Sequence, residues 1–252
     1  MAEARREGFA VVVHQPAEIR AWARLTRTRA KTDRIDAALI AAATARLESL
    51  GAVQAGGGAP GELAERLAAY EQVADEVARL ETFRDRLTLP DLKAGHAARI
   101  RALEQVKRAM LQALVAVVKA CPEPGPRWRL LLSLPGVGPL VAASLVVRMP
   151  ELGGMRRGQA ASLLGVAPFA RDSGTWSGRR FVQGGRARPR RLLDLAAVNA
   201  RRADAGPGAF SEGLVARGKP PKVALVALMR NLIEAADLVL ARNAPWVPAQ
   251  AK

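Results

Sequence analysis

Asp33 and Asp36 stand three positions apart in the segment AKTDRIDA, residues 30–37, beside a basic run. At helical spacing i and i+3 their carboxylates face one side. Two hard oxygen donors so placed can hold a divalent cation for work on a phosphodiester. The plainer reading is a helix start. Thr32 or Asp33 is a good N-cap, and acids in a first turn complement the helix dipole. Residue chemistry alone favours that plainer reading, because a two-metal site needs more carboxylates. The nearby acids Glu3, Glu7 and Glu18 do not fall at the end of a plausible strand.

A second candidate lies in LLGVAPFARDSGTWSGRRFVQGGRARPRR, residues 163–191. Seven arginines and one aspartate, interleaved with glycines and a tryptophan, run from Arg171 to Arg191. Arg171, Arg179, Arg180, Arg186 and Arg188 offer planar donor forks for phosphate, and Trp176 offers a stacking face for a base. Ser173, between Asp172 and Gly174, is a hydroxyl among cations that could stabilise the phosphate it attacks. By itself it reads as a turn residue, and Ser177 is equally eligible. The opposing reading of the arginines is a basic loop packed on acidic surface. The whole chain has only 23 acids, so that reading is disfavoured.

The third motif is LPGVGP, Leu134–Pro139, followed by LVAASLVV. It has the form of a helix–hairpin–helix turn. Gly136 and Gly138 allow a tight turn whose backbone N–H groups can hold a phosphate without reading bases. A plain corner between two helices is the alternative.

Composition narrows the partners. The chain has 252 residues, half of them hydrophobic, and a formal net charge of +16 from 39 Lys and Arg against 23 Asp and Glu. That is long enough for one or two domains with a sizeable core. Arginine makes up most of the positive charge, which points to nucleic acid before membrane. Cys121 is the one cysteine, so no internal disulfide forms, as expected of a cytoplasmic protein. His14 and His96 have no metal-type neighbours in sequence. No apolar run reaches a membrane span, so a soluble, non-membrane protein is expected.

The elements that must position these residues are mostly helical. FAVVV, Phe9–Val13, reads as a buried strand without visible partners. Pro16 marks a helix start, and a second helix begins at Thr32–Asp33. Residues 51–60 form a Gly/Ala linker. Leu63, Leu67, Tyr70, Val73, Val77, Leu80 and Leu87 approach a heptad, as do Ile100, Leu103, Val106, Met110, Leu114 and Val117. With a turn at 88–95, they predict an antiparallel hairpin that serves as a spacer or dimerisation arm. CPEPGP, 121–126, reads as a boundary. Trp128–Leu134 is helical, further helices end near Arg242, and the tail NAPWVPAQAK is expected to hang loose.

KTDRIDA, the long hairpin, LPGVGP, and GVAPFARDSG followed by GGRARPRR together resemble the DEDD-type insertion-sequence transposases. That family includes the Piv-type DNA invertases and the bridge-RNA-guided recombinases. The resemblance implies a mainly α chain in three parts. Residues 1–50 would be the C-terminal remnant of a RuvC-like, RNase H-type α/β domain. Residues 61–120 would be a coiled-coil hairpin, and 122–252 a helical transposase domain. It makes Asp33 and Asp36 the third and fourth acids of a divalent-metal site, Mg2+ above all, and Ser173 the nucleophile on DNA. It also implies a structured guide RNA and a homo-oligomer, dimeric or larger. The family's first Asp and its Glu belong upstream, yet only 32 residues precede Asp33. The expectation is an N-terminally truncated chain, weak in recombination alone. The alternatives are a non-catalytic nucleic-acid-binding module, resting on the LPGVGP turn and the arginines, and an oligomerisation module centred on the hairpin.

Overall fold

In the computed structural model of the chain, proline marks where helices begin. The structure describes residues 16–26, 32–47, 61–169, 172–173, 176–177, 181–203 and 205–247. Pro16, Pro90, Pro124, Pro139 and Pro221 are each the first residue of a helix. At that position the missing N–H costs no hydrogen bond and φ is already helical. This corrects one expected break: the turn placed at 88–95 ends at Pro90, with Gly95 inside the next helix. Around CPEPGP one helix ends at Ala120 and the next starts at Pro124.

The chain divides into two compact units, Met1–Gly57 and Gly58–Lys252. In the first, α1 (Pro16–Leu25) packs on α2 (Asp33–Leu47). Thr32 caps α2: its Oγ1 accepts from the Ile35 N–H at 3.3 Å. The expected strand Phe9–Val13, His14 and the linker 51–60 lie outside the described residues.

The second unit is mainly helical. Its helices are α3 (Gly61–Arg84), α4 (Pro90–Ala120), α5 (Pro124–Leu131), α6 (Pro139–Arg148) and α7 (Gln159–Leu164), then α8 (Ala187–Ala203), α9 (Ala205–Ala216) and α10 (Pro221–Arg242). Between α7 and α8 stand four two-residue strands: β1 (Pro168–Phe169), β2 (Asp172–Ser173), β3 (Trp176–Ser177) and β4 (Phe181–Val182).

Helices α3 and α4 pack side by side and run antiparallel, with Arg99 reaching Glu76 at 2.8 Å. Leu63, Leu67, Tyr70, Val77, Ile100 and Leu114 are buried as the pattern requires. Val106 is half exposed, and Val118 rather than Val117 is buried. The buried positions Ile100, Leu114 and Val118 are spaced fourteen and four residues apart, a spacing that a heptad seam allows.

The root of this hairpin is not a free spacer. Leu63, Leu67, Leu114 and Val118 join one apolar cluster with Trp128 and Leu131 of α5, Val141, Ala142, Leu145 and Val146 of α6, and Leu193, Ala196 and Ala200 of α8. Leu228, Leu232 and Ile233 of α10 close it. Polar contacts from α10 and α5 shape the segment before α7. Asp237 accepts from the Gly153 N–H at 2.7 Å, and Glu234 from the Gly158 and Ala161 N–H groups at 3.2 and 3.4 Å. Arg127 donates to the carbonyls of Pro150 and Leu152. The tail is tied down through Trp246. Trp246 packs on the core, and its N–H donates to Ser133 Oγ at 2.7 Å. Among the described residues no helix is long and apolar enough to cross a membrane.

Candidate functional site

The segment read from sequence as an arginine-rich loop contains a small β-ribbon. β1 and β4 are antiparallel, Pro168 opposite Val182 and Phe169 opposite Phe181. β2 and β3 are antiparallel within them, Asp172 opposite Ser177 and Ser173 opposite Trp176. Ser173 and Trp176 thus form the innermost rung, with only Gly174 and Thr175 between them in sequence. Two residues separate β1 from β2 and three separate β3 from β4, so the two pairings are offset by one position. Arg171, Arg179 and Arg180 lie outside the described residues.

The ribbon's root is built from glycines and two arginines. Gly165 and Gly185 have φ of +84° and +70°, and a Cβ added to Gly165 would overlap the Gly184 carbonyl. Only glycine combines that backbone with so close an approach. Arg190 Nη1 donates to the Gly184 carbonyl, and the Arg186 N–H donates to Leu163 O at 2.9 Å.

Arg186 and Arg188, read from sequence as phosphate contacts, are engaged inside the molecule. Arg186 meets Glu151 through both guanidinium nitrogens, at 2.7 and 2.6 Å, and donates to the Arg148 carbonyl at 2.6 Å. The Glu151 side chain is 13% exposed. Burial pushes its carboxyl up, but the hydrogen bonds and charge of Arg186, with a backbone hydrogen bond, hold it below the ordinary glutamate range. Arg188 pairs with Asp75 at 2.6 Å and lies 3.8 Å from Glu71. Arg191 joins Asp75 at 2.9 Å, and Arg148 grips Glu71 in bidentate fashion. The Arg188 hydrogen bond and then that of Arg191 hold the Asp75 carboxyl below its usual range, and Asp75 raises Arg188 in return.

This corrects the expectation that acids are too few to occupy the arginines. The acids are few but are placed on α3 and before α7, where the arginines arrive. Glu71, Asp75, Glu151 and Arg148 were not legible as partners. Each is an ordinary charged residue locally, and its counterparts lie 35 to 117 positions away.

The LPGVGP turn joins α5 to α6, with Trp128 Nε1 donating to Pro139 O at 3.1 Å. Gly136 has φ +74°, and a Cβ there would overlap the backbone of Ala196 and Ala200 in α8. Its glycine is therefore explained by packing. Gly138, the α6 N-cap, has φ −90° and open space where a Cβ would lie. It leaves room beside the helix N-terminus.

Asp33 and Asp36 occupy the first turn of α2. Thr32 does the capping, so neither carboxylate is needed for that task. Their donor chemistry fits a hard divalent cation. Among the described residues no third His, Cys, Asp or Glu joins them in a metal-type group.

Comparison with known families places these features. The model described as Transposase, IS116/IS110/IS902 family, matches residues 128–212, which include the LPGVGP turn, the ribbon and α8. A second transposase model, the DEDD type of IS110 elements, matches residues 1–88, which include Asp33 and Asp36. No curated protein matches the chain. Two transposase models in this order, over the stretches that carry the motifs, identify the chain as a member of the IS110-type family of DEDD insertion-sequence transposases.

Proposed function

We propose that this chain breaks and rejoins DNA phosphodiesters at the ends of an insertion sequence, with Ser173 as the nucleophile. The observation that carries the reading is the placement of Ser173. It stands on the innermost rung of a ribbon rooted in the transposase-matched core. A serine carried on a ribbon whose root is fixed by Gly165, Gly185 and Arg186 has a defined backbone position from which to act.

In the proposed step Ser173 Oγ attacks phosphorus and one backbone P–O bond breaks. DNA is left joined to the protein as a phosphoserine ester, and the displaced sugar oxygen takes up the proton. Attack by a second strand's hydroxyl reverses the sequence and frees the serine. Asp33 and Asp36 would contribute two carboxylate ligands to a divalent cation, Mg2+ above all. When bound, that ion neutralises phosphate charge and aligns the reacting group. Gly138 leaves the N-terminus of α6 open to a phosphate. The chain's excess of arginine suits it to hold DNA together with a structured guide RNA, in a homo-oligomer.

The test is adduct trapping. Purified protein is mixed with DNA carrying the element's ends and Mg2+, then denatured. A covalent protein–DNA species is expected, lost in Ser173→Ala and kept in Ser177→Ala, with both variants still binding DNA. An adduct that survives Ser173→Ala overturns the assignment.

A further inference from the structure

A groove of about 650 Å3 runs along one face of α3 and is bordered on α8 by Arg191. We propose that it holds the phosphodiester backbone of a nucleic-acid strand through Arg79 and Arg86, so that the hairpin is part of the binding surface. The proposal rests on the reading above that this chain handles nucleic acid.

Asp75, Arg79, Thr82 and Arg86 line the groove at intervals of three or four residues, with Phe83 beside Thr82. Among the described residues Asp75 is the one acid in the lining, and Arg188 and Arg191 already neutralise it. Other arginines of α3 are matched within the helix or its turn, Arg66 to Glu62 and Arg84 to Asp85. Arg79 and Arg86 are exposed and form no ion pair among the described residues. Two guanidinium forks in a groove without a free carboxylate attract a polyanion.

Their spacing suits one. Arg79 lies on α3 and Arg86 in the turn just past its end; seven residues at helical rise would span about 10 Å, close to three steps at roughly 3.4 Å each along a duplex axis. Phe83, half exposed between them, adds an aromatic face of the kind on which unpaired bases stack. The groove also leads toward the ribbon. Arg191 is four residues, about one turn, into the helix that follows β4. A strand lying along α3 is thereby directed to the part of the fold that carries Ser173.

The test compares wild type with Arg79→Ala/Arg86→Ala in the full chain. Binding is followed by fluorescence anisotropy over a salt series, on a single-stranded DNA, the same sequence as duplex, and a structured RNA. Arg79 is exposed on α3 and Arg86 in the turn after it, so the melting temperature should not change. Affinity should fall roughly tenfold at low salt on at least one probe. The slope of log K against log salt should drop by about 1.4 to 1.8. The probe that responds identifies the strand the groove takes. Wild-type affinity and slope on all three probes overturn the groove and leave the transposase reading standing. An equal loss in the control Arg217→Ala/Arg230→Ala overturns it too, since general charge then explains the effect. Failure of wild type to bind any probe overturns both.

Discussion

Arg188 of α8 and Asp75 of α3 lie 113 positions apart and meet at 2.6 Å, Nη1 to Oδ2. The contact ties the hairpin to the helix that leaves the ribbon. With Arg191 on the same carboxylate and Arg148 on Glu71, it sets the hairpin's angle on the transposase core by charge as well as by packing. Each guanidinium in it is one that a nucleic acid cannot freely use.

Asp75→Asn removes the charge that Arg188 and Arg191 share. The partners are exposed enough for water to screen them, so the cost should be about 1 kcal/mol. In a protein of this size that corresponds to a fall of roughly 2–4 °C in melting temperature. Nucleic-acid affinity should rise, because two arginines are released. Calorimetry and anisotropy on the same preparation check both signs.

Acid should loosen the same joints. Asp75 and Glu151 both titrate below their ordinary ranges when folded. The folded state therefore binds fewer protons than the unfolded chain in that interval. Their contribution is complete above the unfolded carboxyl values, about 4, and is lost as pH falls through the lower folded values. Melting temperature should be steady from neutral to mildly acidic pH and fall below about pH 4. A flat profile down to pH 3 would contradict the pairing.

Arg186→Ala should act through stability, not through a lost phosphate contact. It strands the largely buried Glu151 carboxylate, a change that costs roughly 3 kcal/mol. Arg186→Lys should recover only part of this, since a single ammonium cannot reproduce the two-point contact. Chemical denaturation separates this from a binding defect: the folded fraction at low denaturant should retain wild-type affinity.

The two glycines of LPGVGP should part company. Gly136→Ala meets the α8 backbone from a positive φ and should destabilise by more than about 1 kcal/mol. Gly138→Ala has an ordinary φ and open space, so its melting temperature should stay near wild type. If that turn holds a phosphate, the added methyl should weaken DNA binding. A Gly138→Ala protein that unfolds would refute the geometry.

Local sequence carries what local physics decides. Thr32 caps α2 and the prolines open helices because both effects act within a turn or two. The apolar seam of the hairpin is written in Leu63, Leu67 and Tyr70. The ribbon was invisible because strands of two residues have no period to detect. Its existence depends on the close passage of Gly165 by Gly184 and Gly185.

The arginines mark the division most clearly. The sequence alone determined a basic, mainly helical chain with the motifs of a transposase. It could not say which cations remain for a nucleic acid. Arg186, Arg188 and Arg191 sit in the richest basic run and are paired, while Arg79 and Arg86, in the hairpin that reads as a spacer, form no ion pair among the described residues. Only the tertiary structure decided this, because an ion pair is chosen by distance in space, and the fold brought Glu71, Asp75 and Glu151 to the arginines of α8 and its approach.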